Sequence, residues 1–258
     1  MNISNKDNSQ ADLIEYATRL GDDSLILGHR ISEWASNGPF LEEDIALGNV
    51  ALDYIGRARM YYTYAAELTG EGKTEDDFAY LRNERDFSNY LLNELPKGDF
   101  AFTIVRQLFI DVFNSLFLPQ LQTSANEHLA AIASKAVKET RYHLRRSKDW
   151  SIRLGDGTEE SHQRMQKALA DLWGYVHEMF EPDELEKRLI AQGIAVDTAN
   201  LKEQWLAEIT ETLNTATLEV PEAEWAVRGG RAGHHTEHLG HLLCVMQSVH
   251  IRYPGAKW

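Results

Sequence analysis

Apolar residues recur along this chain at spacings of three and four, which places them on one face of a helix, and no stretch alternates strictly enough to read as a strand. From about Ala11 to Ala35 the apolar stripe reads Tyr16, Leu20, Asp23, Leu27, Ile31 and Trp34, and Asn37-Gly38-Pro39 ends it. From Glu42 to Thr69 it reads Ala46, Asn49/Val50, Asp53, Gly56, Met60 and Tyr64. Glu42, Glu43 and Asp44 suit the positive end of that helix, and Gly70-Glu71-Gly72 stops it. A third long helix, Asp99 to about Gln122, carries Ile104, Leu108, Asp111, Ser115 and Leu118, with Pro119 expected to kink or end it. The fourth opens at a capping box, Ser124-Ala-Asn-Glu127, and runs to Leu154 with Ile132, Ala136, Glu139/Thr140, His143, Ser147 and Trp150 facing inward.

These four long helices predict one four-helix bundle, and the rest of the chain adds helices to it. Shorter helical stretches are predicted near Asp76–Arg85, Thr158–Phe180, Pro182–Gln192, Asn200–Thr217 (with a box at Asn200-x-x-Glu203) and Thr236–Arg252. Residues 1–9 read as a disordered tail. No repeat, low-complexity tract or linker interrupts the remainder, so residues 10–258 read as a single all-α domain.

Composition narrows the function classes. The formal charge of −14 argues against general nucleic-acid binding, which depends on neutralising phosphates with Lys and Arg. One cysteine in 258 residues excludes a disulfide framework and points to a reducing, cytoplasmic setting. Cys244 sits among Leu242, Leu243, Val245 and Met246 and reads as core. The N-terminus lacks the apolar run of a signal peptide, and no apolar run is read as reaching bilayer length.

Polar residues on the apolar stripes are the first candidate chemistry. Asp23, Asp53, Asp111 and Thr140/His143 each interrupt the inward stripe of one long helix. A buried carboxylate needs a partner, and four helices each pointing a polar group inward is the layout of a carboxylate-bridged metal site. Such a site takes Glu-x-x-His from each of two helices and a further Glu from each of two others. Here the matching positions read Asp53-x-x-Gly56 and Thr140-x-x-His143, so the first lacks its imidazole and the second its carboxylate. The competing reading is a buried hydrogen-bond and ion-pair network of Asp53, Asp111, Glu139 and His143 with Arg57, Arg106 or Arg141.

Three further features qualify as candidates. His234, His235, Glu237, His238 and His241 crowd eight residues, a spacing at which imidazoles can bind zinc or serve as a packed turn. The glycine-rich loop Arg228–Gly233 reads either as a connector or as a cradle for an anion. The fourth helix is locally basic at Lys135, Lys138, Arg141, Arg145, Arg146, Lys148 and Arg153: a solvated face, or a dock for an acidic partner or a CoA phosphate. Glu159-x-x-His162 lies at a helix start and reads as solvated, and no Gly-x-Ser-x-Gly supports nucleophilic catalysis.

Beyond these local readings, an ordered set of segments resembles the structural C subunits of bacterial 1,2-phenylacetyl-CoA epoxidases. The segments are Leu47-Gly-Asn-Val-Ala-Leu-Asp53-Tyr-Ile-Gly56-Arg-Ala58, Tyr64-Ala-Ala-Glu67-Leu, Lys138-Glu-Thr-Arg-Tyr-His143-Leu-Arg and Gly193-Ile-Ala-Val-Asp197. Most specific is the C-terminal part: Gly229-Gly230, Gly233, His235-Thr-Glu237-His238-Leu-Gly240, Met246-Gln247 and Pro254-Gly-Ala-x-Trp258. The resemblance runs from Tyr16 onward. It implies a ferritin-like fold and a complex that epoxidises the aromatic ring of phenylacetyl-CoA with O2. A related catalytic subunit would hold the di-iron centre and the acyl-CoA, with a small subunit and a reductase as further partners. This chain would be the non-catalytic subunit, without a cofactor of its own, and a homodimer when alone. Asp23, Asp53, Gly56, Asp111, Thr140 and His143 would then be vestigial di-iron positions, of which only His143 keeps a ligand type. The alternative from another class is a stand-alone ferritin-like metalloenzyme using Asp53, Asp111 and His143, or the histidine cluster.

Overall fold

The computed structural model describes residues 4–222 and 225–256, so Trp258 of the terminal motif lies outside the described residues. Eleven α-helices and no strand are present among them: α1 (Ser4–Ser32), α2 (Leu41–Thr69), α3 (Glu75–Tyr80), α4 (Leu91–Glu94), α5 (Phe100–Leu121), α6 (Glu127–Gly155), α7 (Glu159–Leu172), α8 (Glu184–Ala191), α9 (Lys202–Thr215), α10 (Glu237–Met246) and α11 (Ser248–Arg252). The four long helices fall where apolar periodicity places them. α1 starts earlier than expected, so part of the stretch expected as a tail is helical from Ser4. Once a helix is nucleated, each added polar residue brings its own backbone bond.

Helix ends are set by side chains in ways the local motifs only partly announce. Asp99 caps α5 by accepting from the Phe102 N–H, at 2.9 Å. α6 is capped by Asn126, which accepts from the Leu129 N–H at 3.0 Å, rather than by Ser124. The Ser124 hydroxyl instead donates to the Ile194 carbonyl at 2.7 Å. The box expected at Asn200 is likewise replaced: Asp197 caps a 3-10 turn over Thr198–Leu201 that feeds α9. The closing helix is broken at Gln247, whose amide turns inward and donates to the Ala79 and Arg82 carbonyls at 3.3 and 3.0 Å.

The chain divides into two compact units, with boundaries at the short turns Gly38-Pro39, Pro96-Lys97 and Arg228-Gly229 and no long linker. Unit 1 comprises the described parts of Met1–Gly38, Glu42–Pro96 and Gly229–Trp258; unit 2 comprises Pro39–Leu41 and Lys97–Arg228. In unit 1 the core is formed by Ile26, Leu27 and Ile31 of α1, Leu47, Tyr54, Tyr61 and Tyr62 of α2, and Leu239, Leu242 and Leu243 of α10. Cys244 is exposed, contrary to its reading as core, because the inward face of α10 is taken by Leu239, Leu242 and Leu243.

Unit 2 is built on α5 and α6. α6 turns small residues toward its neighbours (Ala133, Ala136, Thr140, Ser147, Ser151 and Gly155 are all buried), which lets backbones pack closely. Trp205 of α9 plugs the other side of α5. Its indole N–H donates to the Phe109 carbonyl at 2.9 Å, and its ring lies 5.5 Å from Phe109, 5.8 Å from Trp173 and 5.3 Å from Phe180. α5 is the exception to the reading that no apolar run reaches bilayer length, since its length and composition would suffice. Its apolar window is 78% buried, however, as befits a core helix.

Candidate functional site

Two buried polar clusters, one in each unit, hold some of the residues singled out in the sequence. In unit 1 the cluster grows from adjacent acids on α1. Asp22 is wholly buried and pairs with Arg82, while the Tyr62 hydroxyl donates to it at 2.6 Å and the Ser88 N–H at 2.8 Å. Burial alone would lower the Arg82 pKa, but the charge of Asp22 more than reverses this and the guanidinium is held above its ordinary value. Burial raises the Tyr62 phenol well above its usual range, and the neighbouring Asp22 carboxylate adds to that. Burial likewise pushes Tyr61 up to about 12.

Asp23, the next residue, meets the same loop with its own set of donors. It accepts from Arg231 at 2.8 Å, from the Tyr90 N–H at 2.8 Å and from the Asn93 amide at 3.0 Å. Burial pushes its carboxyl up, against the pull of Arg231. Arg231 also donates to the Ser88 carbonyl at 2.6 Å and lies 3.7 Å over the Tyr90 ring. Its own loop is pressed against backbone: a Cβ at Gly230 would collide with the Asn89 carbonyl, and one at Gly233 with that of Arg85. Gly233 in addition has φ +71°, a conformation other residues rarely adopt.

The histidine cluster joins this same assembly. The side chain of His235 is 1% exposed and that of Glu94 fully buried. The Nδ1 of His235 lies 2.7 Å from Glu94 Oε2 and its Nε2 2.8 Å from the Phe87 carbonyl. The Phe87 carbonyl can only accept, so Nε2 carries a proton, and a Glu94 carboxylate gives Nδ1 an acceptor too, an arrangement that favours the imidazolium. Burial opposes that charge, but the hydrogen bonds to Glu94 and Phe87 outweigh it and raise the pKa above the ordinary value. The other Glu94 oxygen accepts from the Thr236 N–H at 2.6 Å and hydroxyl at 2.8 Å. Arg30 of α1 closes the cluster by donating to the Glu94 and His238 carbonyls at 2.9 and 2.8 Å.

The second cluster runs along α5 and α6 in unit 2. Arg106 and Asp111 of α5, and Thr140, His143, Arg146, Ser147 and Ser151 of α6, are all buried. Arg106, Asp111, Thr140, His143 and Arg146 each have a partner. Glu139 lies 3.9 Å from Lys135 on the same helix.

The expected site residues are therefore distributed rather than gathered. Asp111, Thr140 and His143 are in the core of unit 2, while Asp23 is spent on Arg231 in unit 1. Asp53 and Gly56, expected to face inward, are instead half-buried. The inward stripe of α2 is Leu47, Val50, Tyr54, Tyr61 and Ala65, because its tyrosines offer more apolar surface than the polar positions do. Arg141, an expected network member, is exposed. His234 and His235 precede α10, while Glu237, His238 and His241 lie within it. His235 has no ring nitrogen left for a metal. His162 bonds the Gly155 carbonyl through Nδ1, at 2.8 Å.

Among the described residues, no three His, Cys, Asp or Glu side chains come together as metal ligands. The donors present do not fit a resident di-metal centre: Gly56 offers no ligand, Thr140 no carboxylate, and Asp23 is saturated by protein donors. No chemical step is assigned to such a centre in this chain. Sequence reasoning misses the buried acids Asp22 and Glu94 and the half-buried arginines Arg82 and Arg231. The adjacent pair Asp22-Asp23 on an apolar stripe is the only local sign of them.

Residues 2–258 match the family model described as "Phenylacetic acid catabolic protein". The chain is 48% identical over 246 residues to an Escherichia coli (strain K12) protein, the C subunit of 1,2-phenylacetyl-CoA epoxidase. That alignment covers 95% of this chain and 99% of the relative. The motifs quoted from the sequence, the all-α ferritin-like fold and this match together place the chain in the phenylacetic acid catabolic protein family, as a relative of the epoxidase's C subunit.

Proposed function

We propose that the chain is the non-catalytic structural subunit of a multicomponent di-iron phenylacetyl-CoA 1,2-epoxidase, acting in the cytoplasm in aerobic phenylacetate breakdown. It would pair with and support the catalytic subunit, which would hold the di-iron centre and the acyl-CoA. The small subunit and the reductase would complete the system, and the chain alone would form a homodimer. The observation that carries the reading is identity to an epoxidase C subunit along nearly the whole chain, joined to a ligand set that is incomplete at Asp53, Gly56 and Thr140. The chain's own chemistry fits support rather than turnover. Its buried acids are neutralised by Arg82, Arg231 and His235, so they are committed to holding helices together.

Co-expression with the catalytic subunit tests this directly. The two should co-purify, iron should analyse with the partner alone, and oxygen-dependent turnover should require the partner. Stoichiometric iron in this chain, with turnover in its absence, would sink the proposal.

A further inference from the structure

α6 carries more Lys and Arg than any other helix of this otherwise acidic chain. α6 holds seven of the 26 Lys and Arg residues and three acids, Glu127, Glu139 and Asp149. Some of these cations are already occupied. Lys148 pairs with Glu208 at 3.0 Å, Lys135 approaches Glu139, Arg146 is buried, and Arg153 lies 5.5 Å over Trp150. Lys138, Arg141 and Arg145 are exposed, and among the described residues no carboxylate pairs with them. They lie three and four residues apart, so like charges neighbour one another on one ridge and destabilise the helix that carries them. Between them stands Tyr142, 43% exposed.

We propose that this ridge docks an acidic protein surface, with Lys138, Arg141 and Arg145 as its cationic contacts and Tyr142 as its anchor. The partner is a companion epoxidase subunit, so the proposal rests on the function proposed above. Two features favour a protein over a small anion. The three cations stretch roughly 10 Å along a convex helix, a shape suited to a facing surface. The cleft beside them, lined by Asn114, Ser115, Thr140, Arg141 and Leu144, is about 170 Å³. That is below the roughly 300–1,000 Å³ of small-molecule pockets, though it has room for one carboxylate side chain next to Arg141. Tyr and Arg are also the residue types enriched at interface hot spots.

The test uses the full chain, immobilised, with each purified companion subunit as probe, and follows association rates at low and high salt. Charge steering predicts that wild-type association slows about tenfold or more as salt rises. The triple variant K138E/R141E/R145E should lower the on-rate about 10–100-fold with little change in off-rate. The neutral variant K138Q/R141Q/R145Q should fall between. The same charge change elsewhere, R164E/K167E/K187E on α7 and α8, should leave the rate near wild type, and circular dichroism verifies that every variant is folded. Equal rates for wild type and the α6 reversal, or an equal loss in the α7–α8 control, overturn the docking face while leaving the proposed function intact. Saturable binding of coenzyme A that the α6 reversal abolishes overturns it in favour of a small-anion site. Failure of wild type to bind any companion subunit overturns both proposals.

Discussion

At the scale of single residues, the decisive facts are which partner each buried charge has found. Asp23 is legible as an anomaly on an apolar stripe, but its partner Arg231 lies 208 positions away and no local pattern announces it. His235 is legible as one histidine of a cluster; only the fold shows both its nitrogens facing acceptors. Its imidazolium stabilises the folded state as long as it stays charged. Because its pKa is raised on folding, that contribution is complete below the ordinary imidazole value of about 6.5 and is lost as pH rises through the folded value. Urea midpoints measured across neutral to mildly alkaline pH should therefore fall for wild type, with a shallower fall in His235→Gln. His235→Ala should cost about 3–5 kcal/mol near pH 6, since Glu94 is then left buried without its counter-charge.

At the scale of elements, hydrophobic period locates the helices but does not always choose the right face. On α1 the stripe is correct: Tyr16, Leu20, Leu27, Ile31 and Trp34 are all buried. On α2 the positions Asp53 and Gly56 read as inward because they sit among apolar neighbours, yet the large rings of Tyr54, Tyr61 and Tyr62 take the core. Tyrosine is ambiguous in a sequence, being apolar in body and polar at its tip. α9 offers a test of what holds a peripheral helix to the core. Trp205→Phe keeps most of the ring packing but removes the donor to Phe109, and should cost about 1–3 kcal/mol. Trp205→Ala also opens a cavity and should cost about 3–5 kcal/mol. Denaturant unfolding monitored by far-UV circular dichroism distinguishes the two; equal costs would mean that ring packing contributes nothing beyond the hydrogen bond.

At the scale of the whole molecule, composition alone points to the class: a helical, acidic chain without a disulfide framework. The division into two units is barely legible: the chain leaves unit 1 at Pro96 and returns at Gly229, and only short turns, Pro96-Lys97-Gly98 and the glycine-rich Arg228–Gly233, mark the two points. That discontinuity bears on how the protein is made. Ribosomes add about 5–20 residues per second, so α1, α2 and Glu94 exist for on the order of ten seconds before the return segment is synthesised. During that interval Asp22 already has Arg82, but Asp23 and Glu94 have neither Arg231 nor His235. Unit 2, whose main segment Lys97–Arg228 is continuous, can close first, against the usual N-to-C order. Nascent chains stalled after Arg228 should accordingly show protease protection across α5 and α6 while α1 stays cleavable. Extending them past His235 should protect α1. Early protection of α1 would mean that unit 1 is assembled without its last segment, and that these buried acids can wait unpaired on the ribosome.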